Sequence, residues 1–172
     1  MNAVATTLTL ALALALAVVS PAMAQATQSH AQHHPAAAAS ADVDVPAAAE
    51  AAVAVAERFN ASLANGDLTT VEALLAADVL ILESGGAERS REEYMGHHAA
   101  SDAAFLKGAH RQLLRQRARA AGEFAWVGTE SELHAQKDGK PLTVQSTETM
   151  VLKQIADGWR IVHIHWSSRT QR

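Results

Sequence analysis

The sequence contains no cysteine, few aromatic residues and no cluster of basic residues. The absence of cysteine excludes disulfides, thiolate zinc sites, a cysteine nucleophile and a lipid anchor on cysteine. With 14 Lys and Arg against 18 Asp and Glu, the formal net charge of −4 argues against binding to nucleic acid or to an anionic membrane. A phosphate-binding glycine-rich loop, a nucleophile elbow and a His-Glu-x-x-His zinc helix are also missing from the sequence. At 172 residues, the chain has the length of one domain of ordinary size.

Residues 1–24 have the pattern of a cleaved secretory signal peptide. An apolar run from Leu8 to Val19 is broken by Ser20-Pro21, and Ala22-Met23-Ala24 supplies small residues for cleavage before Gln25. The run is shorter than the about 20 residues that cross a bilayer. We therefore expect a periplasmic or secreted protein that leaves the membrane after cleavage following Ala24. The alternative is an uncleaved segment that anchors the protein to the membrane.

Residues 25–45 are predicted to form a disordered linker, because they are rich in Ala, Gln, Ser and His and contain almost no large apolar residue. The linker includes His30, His33 and His34, and an exposed cluster of imidazoles can bind copper, nickel or zinc. The alternative is a solvated linker that binds no metal. We expect no cofactor for the protein, and binding of copper or zinc by these histidines stays an open hypothesis.

The folded domain is predicted over residues 46–169, with a C-terminal tail at 170–172. Its first part contains three predicted helices. Residues 47–65 have apolar side chains at three- and four-residue spacing, and Asp67 caps a second helix. A short strand over Val79–Glu83 and a turn follow, and the capping box Ser90-Arg91-Glu92-Glu93 opens the third helix.

From Ala109 onwards the apolar residues alternate with period two, which is typical of strands. The predicted strands are His110–Arg119, Glu123–Gln136, Leu142–Ile155 and Trp159–Ser167. Short turns between them predict an antiparallel meander. Helices followed by a meander indicate an α+β fold with the helices gathered on one face of the sheet.

Three segments of the chain resemble a known superfamily. Residues 54–67 read Ala-Val-Ala-Glu-Arg-Phe-Asn-Ala-Ser-Leu-Ala-Asn-Gly-Asp and lead into Val-Glu-Ala-Leu-Leu-Ala-Ala-Asp-Val at 71–79. Residues 157–168 read Asp-Gly-Trp-Arg-Ile-Val-His-Ile-His-Trp-Ser-Ser. Together they resemble the nuclear transport factor 2-like superfamily, in particular its SnoaL-like branch, over about residues 47–169. The closing strand is also similar to that of the calcium/calmodulin-dependent kinase association domain.

The resemblance implies a cone-shaped, strongly curved antiparallel or mixed sheet wrapped around three N-terminal helices. It also implies a ligand pocket at the open end of the cone and homodimers formed through the sheet. It says less about activity, because this superfold hosts isomerases, cyclases, hydrolases and assembly modules without enzymatic activity.

The closing strand carries the first candidate catalytic residues, His163 and His165. Two residues apart on a strand, they point to one face with Ile161 beside them, while Val162, Ile164 and Trp166 take the other face. Two imidazoles can act as general bases, as donors to a carboxylate or as metal ligands, or they can simply hold the strand in place. If the protein is an enzyme, we expect proton transfer of the isomerase or cyclase type with one of them as base. Tyr94 or Glu83 would orient the ligand.

Further candidates for the pocket are polar or aromatic residues on the predicted strands and third helix: Glu83, His97, His98, Trp126 and Glu148. Glu83 with these histidines could approach the sheet histidines and bind zinc, iron or copper, although solvated helix residues are the alternative. Glu148 shares a face with Ser146 and Met150 and is predicted to pair with an opposite charge. The alternative is a buried carboxylate with a raised pKa that could act as a base.

Other charged residues have a simpler predicted role. Glu130, Glu132 and His134 share a strand face with Trp126 and are predicted to pair with opposite charges. A row of four arginines is predicted on one face of the first long strand, as a solvated row that protects the sheet edge rather than an anion site. The row comprises Arg111, Arg115, Arg117 and Arg119.

Tyr94 is the only tyrosine, and it is predicted on the third helix near the pocket mouth. The isomerases of the superfamily use a Tyr hydroxyl with an Asp base. No such pair can be matched along this sequence, which counts against ketosteroid-type chemistry. Asp102 on the same helix is a possible substitute base.

Three functional hypotheses follow. The leading one is an exported SnoaL-like homodimer that binds a small ligand in its cone, with catalysis left open. The alternatives are a periplasmic metal-binding protein that uses the linker or pocket histidines, and an assembly module without catalytic activity.

Overall fold

The computed structural model describes residues 40–171, which form a seven-stranded mixed sheet with helices before and between its strands. The elements in chain order are β1 (Asp42–Asp44), a single 3-10 turn (Ala47–Ala49), α1 (Glu50–Asn65), α2 (Leu68–Leu74), β2 (Leu75–Glu83), β3 (Gly86–Glu88), α3 (Arg91–His97), α4 (Ala99–Leu106), β4 (His110–Ala121), β5 (Phe124–Lys137), β6 (Lys140–Ile155) and β7 (Gly158–Thr170). The predicted signal peptide and the linker histidines His30, His33 and His34 lie outside the described residues and stay predictions. No described helix has both the length and the apolar character that crossing a membrane requires.

The helix boundaries follow the capping residues in the sequence. Gly66 ends α1 in the left-handed conformation with φ of 76°. Asp67 then accepts a hydrogen bond from the backbone N–H of Thr70 at 3.1 Å and caps α2. The Ser90 hydroxyl accepts from the N–H of Glu93 at 3.0 Å and opens α3 as predicted. The predicted third helix is in fact two helices, because the chain breaks at His98, shortly after the weak helix former Gly96.

The strand order in the sheet is β1-β4-β5-β6-β7-β2-β3. Strands β4 to β7 form the predicted antiparallel meander, while β2 pairs in parallel with β7. Strand β1 pairs in parallel with β4 and covers its edge. It lies in the range that the sequence assigns to the disordered linker, so the ordered chain begins earlier than predicted. Its residues Asp42 and Asp44 form ion pairs with arginines of β4.

Two β-bulges reverse the predicted orientation of side chains. Val162 is an extra residue in β7, because Ile161 pairs with Leu152 and His163 with Val151. Ile161 and Ile164 are therefore both fully buried, and Ile161 is not beside the histidines as predicted.

A second bulge at Leu114 corrects the predicted row of four arginines. Arg111 pairs in register with the inward-facing Leu133 and forms an ion pair with Glu57 of α1 at 3.0 Å. Arg115, Arg117 and Arg119 face the other way and pair with the aspartates of β1.

The hydrophobic core lies between the inner, helix-facing side of the sheet and the helices. Phe59 of α1 and Tyr94 of α3 are fully buried. The Trp166 ring of β7 lies against both, with centroids 6.4 Å from Phe59 and 6.1 Å from Tyr94. Phe59, Tyr94 and Trp166 thus pack α1 and α3 against β7 of the sheet.

Candidate ligand-binding site

A cavity of about 640 Å³ lies between α1, α4 and the inner face of the sheet. Its volume is within the usual range for small-molecule pockets. The apolar part of its wall is formed by Leu63, Phe105, Leu106, Leu133, Leu142 and Val144. The polar part includes carboxylates and hydroxyls that the strand register brings into rows, together with amide and cationic side chains: Asn60, Arg111, Gln136, Lys137 and Arg169.

One polar row crosses five strands of the inner face. Neighbouring strands pair Gln116 with Thr129, Thr129 with Glu148, Glu148 with Trp166 and Trp166 with Glu83. The last three residues of this row line the cavity.

A second row, beside the first, consists of three serines. Ser131 pairs with Ser146, and Ser146 pairs with Ser168, so their side chains follow one another across β5, β6 and β7. All three line the cavity. Hydroxyls can donate or accept, so this serine row can bind an oxygen-bearing group of a ligand whose body lies on the apolar wall.

Glu148 is held by two donors. Trp166 Nε1 donates to its Oε2 at 2.7 Å, and Asn60 Nδ2 donates to its Oε1 at 3.0 Å. Burial raises the pKa of Glu148, and the two hydrogen bonds partly oppose that effect. Glu148 thus lies on the inner face with Ser146 and Met150, and it has the raised pKa of the buried-carboxylate alternative rather than the favoured pairing with an opposite charge. Its role as a ligand-binding residue stays a prediction.

Asp102 and Tyr94 form a hydrogen-bonded pair at the cavity wall. The Tyr94 hydroxyl donates to Asp102 Oδ2 at 3.1 Å, and Asp102 lines the cavity. Tyr94 itself is fully buried behind the wall rather than near a pocket mouth. Burial raises the pKa of Asp102, whereas the Tyr94 hydrogen bond and the nearby His98 lower it. This Tyr–Asp pair is not apparent in the sequence. The apparent absence of such a pair counted against ketosteroid-type chemistry, and the structure removes that argument.

The predicted residue Glu83 lies near His98 on the cavity side of the sheet, whereas the sheet histidines lie on the opposite face. His98 Nδ1 is 3.5 Å from Glu83 Oε1 and contacts Glu88 Oε1 directly. Burial and the charges of Asp102 and Glu88 raise the pKa of Glu83, and His98 opposes them. The contact with Glu88 raises the pKa of His98.

Several predicted site residues lie away from the cavity. His163 and His165 share a face, as predicted, but it is the outer face, opposite the buried Ile164 and the cavity-lining Trp166. His163 Nδ1 is 2.8 Å from the carbonyl oxygen of Leu80. Neither histidine can therefore act as a base inside this cavity, because the strand directs both imidazoles away from it.

Trp126 and His97 are also outside the predicted pocket. Trp126 lies on the outer face and is 42% exposed, on the same side of β5 as Glu130, Glu132 and His134. His97 is exposed at the end of α3 and does not belong to the cavity wall. The strand register places Trp126 on the outer face, and the end of α3 leaves His97 exposed, so residue type alone could not predict either position.

Sequence reasoning missed Glu88 and the serine row. Glu88 ends a three-residue strand that is too short to show a pattern. The pairing of Ser131 with Ser146 could have been found, because counting back equally from the Asp138-Gly139 turn aligns them.

Comparison with known proteins agrees with this geometry. The SnoaL-like domain family matches residues 52–171, and the chain therefore belongs to the SnoaL-like family. Its fold is that of the nuclear transport factor 2-like (NTF2-like) proteins, also described as cystatin-like. No curated protein matches the chain.

Three solved structures illustrate the range of relatives. The chain is 37% identical to a proposed ketosteroid isomerase from Shewanella frigidimarina NCIMB 400, with a TM-score of 0.67, over 74% of this chain and 100% of that one. A proposed dehydratase of the NTF2-like family from Streptomyces avermitilis is 18% identical, with a TM-score of 0.60, over 69% and 93% of the two chains. The CaMKII hub of S. rosetta is 20% identical, with a TM-score of 0.58, over 73% and 99%. The last two show the fold alone.

Proposed function

We propose that the protein binds a small, largely apolar carbonyl compound in its cavity and moves a proton on it, as an isomerase does. The observation that carries this proposal is the Asp102 carboxylate at the cavity wall, held by the Tyr94 hydroxyl at 3.1 Å. A carboxylate that burial makes more basic is suited to remove a proton from carbon.

The reaction requires a base and a stabilised oxygen. Asp102 takes a proton from the carbon next to the carbonyl, and the C–H electron pair forms an enolate. The carboxyl proton of Asp102 then exchanges with water before Asp102 delivers a proton to a different carbon. Hydroxyls of the serine row supply donors for the carbonyl oxygen as it becomes negative. The similarity to a proposed ketosteroid isomerase supports this class of reaction.

The test follows proton transfer directly. The protein is incubated in D2O with a β,γ-unsaturated ketosteroid and with a β,γ-unsaturated cyclohexenone, and deuterium incorporation is measured by mass spectrometry. We expect protein-dependent exchange that is lost in Ser146→Trp, which fills the cavity, and kept in Thr147→Trp on the opposite strand face. Exchange no faster than the buffer background, or exchange insensitive to Ser146→Trp, would overturn the proposal.

We also propose that the protein is a homodimer formed through the outer face of the sheet. Strand pairing aligns Trp126, Val151, His163 and Leu80 in one row across four strands of that face. Trp126 and Leu80 are 42% and 39% exposed, so both have apolar surface that an interface on this face would bury. Trp is also a frequent anchor of protein interfaces.

Substitution of this row tests the dimer. Trp126→Glu would place a negative charge in this row of the outer face. We expect the dissociation constant of the dimer, measured by analytical ultracentrifugation, to rise roughly tenfold or more. Ala61→Glu adds the same charge to an exposed position of α1 and should leave it unchanged. A monomeric wild type, or a Trp126→Glu dimer as tight as wild type, would show that this face is not the interface.

A further inference from the structure

Glu83, Glu88 and His98 converge where the β2–β3 hairpin meets the junction of α3 and α4. One oxygen or nitrogen from each residue lies within 4.8 Å of the others. Ligand atoms around a transition-metal ion are about 3 Å apart, since each lies about 2 Å from the ion. The 3.5 Å between His98 Nδ1 and Glu83 Oε1 is close to that spacing. Small side-chain rotations would therefore place an ion between the three groups.

The second oxygen of Glu88 is the independent sign of a missing partner. The Glu88 side chain is only 3% exposed, and its Oε2 has no hydrogen-bond donor among residues 40–171. A buried carboxylate oxygen without a partner is costly, and such groups are rare in folded proteins. Coordination of a metal ion through Oε2 would give this oxygen its missing partner.

The local charge also favours a cation. Asp102 lies close enough to raise the pKa of Glu83, so three carboxylates share this region. Within the described part of the chain, His98 forms ion pairs with Glu83 and Glu88, and no Lys or Arg forms a salt bridge with any of the three carboxylates. Coordination requires a neutral His98, which leaves the negative charge of the carboxylates in excess, and a divalent ion would offset that charge.

We propose that Glu83, Glu88 and His98 bind a divalent transition-metal ion such as Zn²⁺ at the edge of the cavity. An imidazole together with carboxylates is typical of Zn²⁺ sites, whereas Mg²⁺ and Ca²⁺ favour oxygen ligands alone. The His98 side chain is 51% exposed, which gives the ion a path from solvent. The proposal does not depend on proton transfer by Asp102.

Calorimetric titration of ZnCl2 into the full chain tests the site. The background protein carries His30→Ala, His33→Ala and His34→Ala, so that the linker histidines contribute nothing. We expect one equivalent of Zn²⁺ to bind, and His98→Ala and Glu88→Gln each to weaken binding at least tenfold. His97→Ala removes the adjacent exposed imidazole and is the matched control, with unchanged affinity expected.

Circular dichroism tests whether each variant is folded. If His98→Ala or Glu88→Gln does not fold, Glu83→Gln replaces it, because Glu83 is only partly buried. Absence of Zn²⁺ binding, or binding that survives His98→Ala and Glu88→Gln, would overturn the proposed site. Binding that is lost only in His97→Ala would overturn it as well. Because the readout is heat of binding, failure here is distinct from failure of the deuterium-exchange test.

Discussion

Asp102→Asn should lower kcat for proton transfer by about 10² to 10⁴-fold, the usual contribution of a general base. The substitution keeps the size of the side chain, and the Asn carbonyl oxygen can still accept the Tyr94 hydrogen bond. The fold should therefore survive while the base is lost. The measurement is the steady-state rate of deuterium exchange or isomerisation, with circular dichroism as the control for folding.

Tyr94→Phe distinguishes positioning from catalysis. The Tyr94 hydrogen bond lowers the pKa of Asp102, so its removal should raise that pKa further. Activity requires ionised Asp102 and falls as the pH drops through its pKa, so the acid limb of the kcat/KM profile should move to higher pH in this variant. An acid limb that does not move in Tyr94→Phe would rule out that the Tyr94 hydrogen bond sets the pKa of Asp102. Full activity in Asp102→Asn would show that Asp102 is not the base and that another cavity carboxylate has this role.

Local signals in the sequence predicted the helix caps and hairpin turns well. Asp67 and Ser90 cap their helices as expected, because capping depends on a few adjacent residues. The SnoaL-like resemblance likewise predicted the order of elements and the fold. The three-residue strand β1 was missed because it forms by pairing with β4, whose contacting residues lie more than 70 positions away in sequence.

Side-chain direction was harder to predict, because one extra residue inverts it. The bulge at Val162 moves Ile161 into the core, and the one at Leu114 separates Arg111 from the other arginines. Alternation also cannot say which face of a strand is the inner one. The sequence therefore placed His163 and His165 on a shared face but could not show that this face points away from the cavity.

The candidate site depends on helix geometry that the sequence does not display. The break at His98 separates α3 from α4, and it brings Tyr94 of one helix against Asp102 of the other. In one continuous helix, residues eight apart lie more than two turns from each other, too far for this hydrogen bond. A tertiary feature thus creates the pair on which the proposed chemistry rests.

Glu148 gives the largest expected effect on stability. Glu148→Ala leaves the Trp166 Nε1–H and the Asn60 amide without their acceptor, and each is at least partly buried. We expect the free energy of unfolding to fall by about 1–3 kcal/mol at neutral pH, as measured by guanidinium denaturation. Glu148→Gln keeps an oxygen acceptor of the same size and should be much less destabilising than Glu148→Ala.

The pH dependence of that comparison has a defined sign. Because the folded-state pKa of Glu148 lies above the ordinary value of 4.5, its protonated form is favoured in the folded protein. The stability that wild type gains from this is fully present below pH 4.5 and is lost as the pH rises through the folded-state pKa. Wild type should therefore lose stability relative to Glu148→Gln between acid and neutral pH.

The control is Glu123→Gln, which replaces an exposed carboxylate in the β4–β5 turn. Its free energy of unfolding should stay within about 0.5 kcal/mol of that of wild type. A wild type that gains stability relative to Glu148→Gln on going to neutral pH would mean that the Trp166 and Asn60 hydrogen bonds outweigh burial, so that the folded-state pKa of Glu148 lies below its ordinary value.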